Sequence, residues 1–134
     1  RDMVERATAW LIFRQNPDGG WGETCYSYAD ESFAGVGTST PSQTAWAILS
    51  LQIAGLAQHP ACRRGMRFLV ERQRLDGTWD EPHFTGTGFP GDFYINYHLY
   101  RHLFPMMALA TGRALETGSG AQPELTLHPQ EAPL

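Results

Sequence analysis

Apolar residues recur along this chain in helical rhythm, in four stretches separated by glycine- and proline-rich breaks. Val4, Ala7 and Leu11 fall on one face while Arg6 and Arg14 lie elsewhere, which predicts an amphipathic helix from about Asp2 to Gln15. Pro17-Asp18-Gly19-Gly20 stops it with turn chemistry. A loop rich in Gly, Ser, Asp and Tyr follows, from Trp21 to about Ser39. Loops of that length in compact domains are usually functional or packed onto a neighbour. Thr40 as N-cap and Pro41 at the first helical position open a second helix, to about Ala54. Its run Ala45-Trp46-Ala47-Ile48-Leu49, with Leu51 and Ile53, is apolar nearly all round, which predicts burial on several sides. Gly55 ends it. Pro60 opens a third helix, to about Gln73, with a basic outer face, and Asp76-Gly77 turns the chain again. A second Gly/Pro-rich loop spans about Asp80 to Gly91. The last helix is predicted from Phe93 or Asn96 to Ala114, with Pro105 kinking or breaking it. From Thr117 onward Gly, Ser, Pro and Gln dominate, so residues 117–134 are expected to be a disordered tail.

These stretches form a repeat. Basic, small, aromatic, Leu, Gln, Asp, Gly and Trp positions return at an offset of 58 residues, taking Arg6 to Arg64, Gln15 to Gln73, Gly19 to Gly77 and Trp21 to Trp79. A fixed period of this size signals a repeated supersecondary unit. Each unit reads as an amphipathic helix, a Gln/Trp turn, a loop and an apolar helix. Pairs of that kind, stacked with the amphipathic member outside and the apolar member inside, make a double-layered α/α barrel. The fold class expected is therefore all-α, with residues 1–116 forming part of such a barrel. Two copies fall below the roughly three needed for a stable stack, and the chain opens at Arg1 near a helix start. The chain accordingly reads as a piece of a longer protein.

The Gln/Trp turns read as braces. A helix end leaves backbone groups unpaired, a Gln amide can bridge them to an adjoining helix, and glycine permits the tight turn. Gln15, Gly19, Trp21, Gln73, Gly77 and Trp79 are assigned this structural role.

Bulk properties remove several function classes. A net charge of −4 and a pI near 5.7 argue against nucleic-acid binding, which needs a clustered basic patch. Arg63, Arg64, Arg67, Arg72 and Arg74 do cluster, but on an amphipathic helix they read as a solvated face. Cys25 and Cys62 sit in no ligand or redox spacing and read as free thiols in a reducing compartment. No apolar run approaches the roughly 20 residues of a membrane-spanning helix. His98 and His102 stand four apart, as metal ligands on a helix do, yet Leu99 occupies the place a metalloprotease gives to Glu, so no metal is assigned. Asp92 reads as an N-cap.

The segment from Phe84 to Pro105 carries Phe89, Phe93, Tyr94, Tyr97, Tyr100 and Phe104, the last three of which keep helical spacing. An aromatic stripe is ordinarily core. Its alternative is a pocket lined by π faces, which stabilise cations when water is excluded.

Here the sequence resembles a family. The two repeats match the QW motif of triterpene cyclases. Gly86-Thr87-Gly88-Phe89-Pro90-Gly91-Asp92-Phe93-Tyr94, the stretch Tyr97 to Pro105, and Ser39 to Ala47 are similar to the C-terminal part of bacterial squalene–hopene cyclases. The resemblance covers about residues 2 to 114. Oxidosqualene cyclases lack the Gly-Phe-Pro-Gly-Asp-Phe-Tyr segment in this form. What the resemblance implies is a proton-initiated carbocation cascade. A protonated Asp of an Asp-x-Asp-Asp motif donates to a terminal alkene of squalene, five rings close, and the last cation loses a proton or captures water to give hopene or hopanol. No cofactor is implied. Phe89 and Phe93 would face the cation, Ile95 would pack against substrate, and Tyr97 and Tyr100 would line the pocket nearer the acid, where Tyr97 would also position a hydrogen bond.

The chain has no Asp-x-Asp-Asp; Asp30-Glu31 and Asp80-Glu81 lack the spacing. The acid is therefore expected upstream, and this chain alone is expected to be inactive. The resemblance further implies the rest of the cyclase chain as partner, a homodimer, and a monotopic protein on the cytoplasmic side of the bacterial membrane. The competing readings are a non-catalytic α/α-barrel binding module that keeps the braces, and a prenyltransferase β subunit, which would need zinc ligands.

Overall fold

The computed structural model describes residues 1–86 and 94–118. Helix α1 spans Asp2–Phe13, α2 Pro41–Ile53, α3 Pro60–Arg72 and α4 Tyr100–Glu116; a two-residue antiparallel ladder joins β1, Thr85–Gly86, to β2, Tyr94–Ile95. The architecture is all-α. Helix α2 sits in the middle and packs against α1, α3 and α4. The core gathers Ala45, Ile48 and Leu51 of α2, Ala61, Cys62, Phe68 and Leu69 of α3, Ala108 of α4, and Trp21.

The helix ends follow from local chemistry. Thr40 accepts the Gln43 N–H through its hydroxyl and Pro41 follows at the first position, so α2 starts where the sequence places it. The imidazole of His59 accepts the Ala61 N–H and caps α3 in the same way. The loop after Trp21 is not featureless: it holds 3₁₀ turns at Cys25–Tyr28 and Glu31–Phe33. Gly22 lets two strands of this loop touch, because a Cβ there would stand 1.8 Å from the Thr38 carbonyl oxygen. Backbone on both sides cannot give way, so Gly22→Ala is expected to cost about 3 kcal/mol, the upper range for overpacking. Urea titration of the two proteins measures it.

Three expectations are corrected. The last helix begins at Tyr100, not at Phe93 or Asn96, and runs to Glu116. Tyr94 and Ile95, residue types that favour extended backbone, pair instead with Gly86 and Thr85. Of the kink or break expected at Pro105, the break does not occur: the residue lies buried inside a continuous helix. Val4 and Ala7, on the apolar face expected of α1, are exposed. The repeat explains why. Ala61, Cys62, Gly65, Phe68 and Leu69 form the buried face of α3. At the 58-residue offset their counterparts on α1 are Met3, Val4, Ala7, Trp10 and Leu11. Among the described residues no helix stands to α1 as α2 stands to α3, so four of those five are exposed. The expected tail, 117–134, lies almost wholly outside the described residues, as do Phe89, Asp92 and Phe93.

Candidate functional site

The frame of the site is built from hydrogen bonds that recur every 58 residues. The indole N–H of Trp21 donates to the Leu11 carbonyl at 2.7 Å, and that of Trp79 to the Leu69 carbonyl at 2.8 Å. Both carbonyls belong to the last turn of an outer helix, where backbone acceptors lack helical partners. The Gln15 amide donates to the Gly19 carbonyl and, across to α3, to the Ala61 carbonyl, both at 2.8 Å, and its oxygen accepts from Arg64. The Gln73 amide repeats the bond inside its own turn, to the Gly77 carbonyl at 3.0 Å.

The equivalence runs beyond the turn into the inner helices. Thr44 Oγ1 accepts the Trp21 N–H at 2.9 Å, and 58 residues on His102 Nδ1 accepts the Trp79 N–H at 3.4 Å. Gln43 donates to the Glu23 carbonyl, and Arg101 donates to the Glu81 carbonyl at 3.1 Å. Composition matching misses these pairs because Thr answers to His and Gln to Arg; only the constant offset betrays them. His102 is thereby committed to backbone, and Nδ1 of His98 contacts Arg101 at 2.8 Å.

On this frame four aromatic rings meet. Tyr97 and Tyr100 stack with centroids 4.8 Å apart. Trp46, Tyr100 and Phe104 form a triangle of edge contacts: 5.8 Å for Trp46–Tyr100, 5.3 Å for Trp46–Phe104 and 5.2 Å for Tyr100–Phe104. Edge-to-face packing of this kind fixes ring orientation. Trp46 also borders a cavity of about 350 Å³ with Glu23, Cys25, Tyr28, Gln43 and Phe84, and a second of about 190 Å³ beneath Trp10, Leu11 and Trp21. Of the residues singled out from sequence, Tyr97 and Tyr100 come together here. Ile95 lies apart in the β ladder, half-exposed, and Phe89 and Phe93 fall outside the described residues. Trp46 was read only as part of an apolar helix; its ring is half-buried and faces α4 rather than the core.

The carboxylates near the cavities are acceptors. Glu23 takes the Ser27 hydroxyl at 2.6 Å and the Gly35 N–H at 2.5 Å. Hydrogen bonding from Ser32, through its side chain first and its backbone N–H second, holds the Asp30 carboxyl below the usual range. Asp80 is paired with Arg74 at 3.0 Å. Glu81 is buried and accepts both the N–H of Ser42, at 2.9 Å, and its hydroxyl, at 2.6 Å. All four carboxylates are held in hydrogen bonds or an ion pair.

Residues 1–114 match the sequence model of the squalene-hopene cyclase C-terminal domain. The chain belongs to the squalene–hopene cyclase family. It is 61% identical over 88 residues to the squalene–hopene cyclase of Alicyclobacillus acidocaldarius, covering 66% of this chain and 14% of that protein. It is 48% identical over 114 residues to the squalene–hopene cyclase of Bradyrhizobium diazoefficiens, covering 84% and 17%. The dammaradiene synthase of Dryopteris crassirhizoma is 40% identical over 138 residues, 92% of this chain and 20% of its own. The chain thus spans about a sixth of the length of the curated squalene–hopene cyclases it matches most widely.

Within this squalene–hopene cyclase domain the two thiols differ. Cys62 is buried in the core, and burial pushes its pKa up to about 11, whereas Cys25 is half-exposed at the larger cavity. Folded protein is expected to lose one fast thiol to a water-soluble disulfide reagent at pH 8, with the second appearing only on unfolding. Because folding raises the Cys62 pKa, its share of stability is full below the unfolded thiol pKa and is lost as pH rises from there toward about 11. Among the described residues no helix is long and apolar enough to cross a membrane.

Proposed function

We propose that this chain forms one wall and part of the frame of an active site that cyclises squalene. The observation that carries this reading is the locked aromatic cluster of Trp46, Tyr97, Tyr100 and Phe104 beside a cavity, in a domain of the squalene–hopene cyclase family. π faces held in fixed orientation stabilise positive charge as it passes, most strongly where water is excluded. Phe89, Phe93 and Ile95 would extend the wall along the substrate. The proton comes from an Asp-x-Asp-Asp acid outside this chain, so this chain is inactive by itself. The cascade closes five rings and ends in loss of a proton, giving hopene, or capture of water, giving hopanol. Protonated carboxyl, polyene and aromatic lining suffice, so no metal or organic cofactor takes part. A polyene dissolved in lipid calls for an enzyme at a membrane surface, and the family resemblance implies that the complete enzyme lies on the cytoplasmic face without spanning the membrane, as a homodimer.

The test is turnover of squalene by the full-length protein in detergent, read by gas chromatography and mass spectrometry. A pentacyclic product is expected. A folded protein that turns over no polyene would leave a binding module with the same braces as the better reading.

A further inference from the structure

Glu81 is hydrogen-bonded to both segments that carry the aromatic cluster, the start of α2 and the stretch from Asn96 to Arg101. Its carboxylate holds the first turn of α2 through Ser42, one helical turn before Trp46. Its backbone carbonyl accepts the side-chain N–H groups of Asn96, at 3.2 Å, and Arg101, at 3.1 Å. Those two residues flank Tyr97 and Tyr100. We propose that Glu81 is a positioning residue: it sets the register of Trp46 against Tyr97 and Tyr100, and through them the shape offered to the folding polyene. This rests on the reading of the cluster as the substrate wall.

Two features distinguish this from ordinary packing. Glu81 is buried at 7% exposure, yet both carboxylate oxygens are satisfied by one residue, Ser42, at a helix N-terminus where the helix dipole favours negative charge. Without that carboxylate the Ser42 N–H is an orphan donor, since a helix supplies no partner for its first four N–H groups. Second, the two attachments are chemically independent, one through the side chain and one through the main chain. Substitution of the side chain therefore frees α2 while leaving Asn96 and Arg101 held.

Glu81→Ala, Glu81→Gln and Ser42→Ala in the full-length protein test this. A cyclase whose wall has shifted releases its substrate early, so Glu81→Ala is expected to yield incompletely cyclised products, with kcat down about tenfold to a hundredfold and KM moved far less. Glu81→Gln is expected to restore the wild-type product pattern, because an amide can accept the Ser42 N–H and donate to its hydroxyl. Ser42→Ala keeps one of the two bonds and should fall between. A pentacyclic product at wild-type proportion and rate from Glu81→Ala overturns the proposal, as does a Glu81→Gln protein no better than Glu81→Ala. Near-ultraviolet circular dichroism reads ring orientation without turnover. If the wild-type protein converts no polyene, the cyclase reading falls. The positioning claim is then judged by whether Glu81→Ala changes the aromatic spectrum at a temperature where the far-ultraviolet spectrum is unchanged; an unchanged aromatic spectrum overturns it.

Discussion

Alanine at Trp46 or at Tyr100 is expected to lower squalene turnover by the full-length protein about thirtyfold, and phenylalanine at Tyr100 to leave most of it. The magnitude follows from the charge that each ring would stabilise under the proposed function. A cation over an aromatic face in a water-free site gains about 2 kcal/mol, and about 1.4 kcal/mol is a factor of ten in rate. The loss is not confined to one ring. Trp46, Tyr100 and Phe104 orient one another through mutually tilted contacts of 73° to 75°, so removal of either Trp46 or Tyr100 deletes two of the three edges and releases the remaining pair. The double variant should therefore fall short of the product of the single effects, because the second substitution acts on a cluster already loosened. Single-turnover rates with squalene measure this. Full additivity would mean that the rings act separately and that their shared geometry is incidental. A Tyr100→Phe protein as poor as Tyr100→Ala would shift the role from the π face to the hydroxyl.

Much of this arrangement is written in the residues, and the parts that are not fail for identifiable reasons. Thr40-Pro41 and Pro60 mark helix starts because capping is local chemistry, and the observed starts of α2 and α3 agree with them. The start of α4 is not local. Tyr94 and Ile95 are drawn into a ladder with residues eight and ten positions earlier, which no periodicity in their own segment announces. The aromatic spacing of Tyr97, Tyr100 and Phe104 is visible in sequence, but Trp46 enters the cluster from another helix, 51 residues before Tyr97. The pair Asp80-Glu81 looks alike in sequence and divides in space. Asp80 stays at the surface with Arg74, while Glu81 turns inward to a helix N-terminus that Ser42 alone does not advertise. Val4 and Ala7 show the opposite failure. Their helical spacing is a true signal of an apolar face, but a face is buried only where something covers it, and α1 lacks among the described residues what α2 gives to α3.

The largest stability effect belongs to Trp79. Trp79→Ala is expected to cost about 4 to 5 kcal/mol, and Trp79→Phe about 1 to 2. The indole is 1% exposed, the largest side chain so fully buried, and its N–H is the donor for the Leu69 carbonyl at the end of α3. The next residue in position to serve that carbonyl, Gln73, turns its N–H to Val70 instead. Alanine therefore opens a cavity of nearly a whole indole and leaves an acceptor at a helix end without a partner. Phenylalanine refills most of the volume and loses the bond alone. The difference between the two variants separates packing from hydrogen bonding at a Gln/Trp turn. Since whole domains are stable by only about 5 to 15 kcal/mol, the alanine protein should stand near the edge of folding at ordinary temperature. Chemical denaturation monitored at 222 nm gives both values. Equal losses for Trp79→Ala and Trp79→Phe would assign the turn's stability to the single bond from the indole to Leu69. A negligible loss for Trp79→Phe would assign it to the filled volume, and the repeated indole-to-carbonyl bonds of Trp21 and Trp79 would then be consequences of packing rather than causes of it.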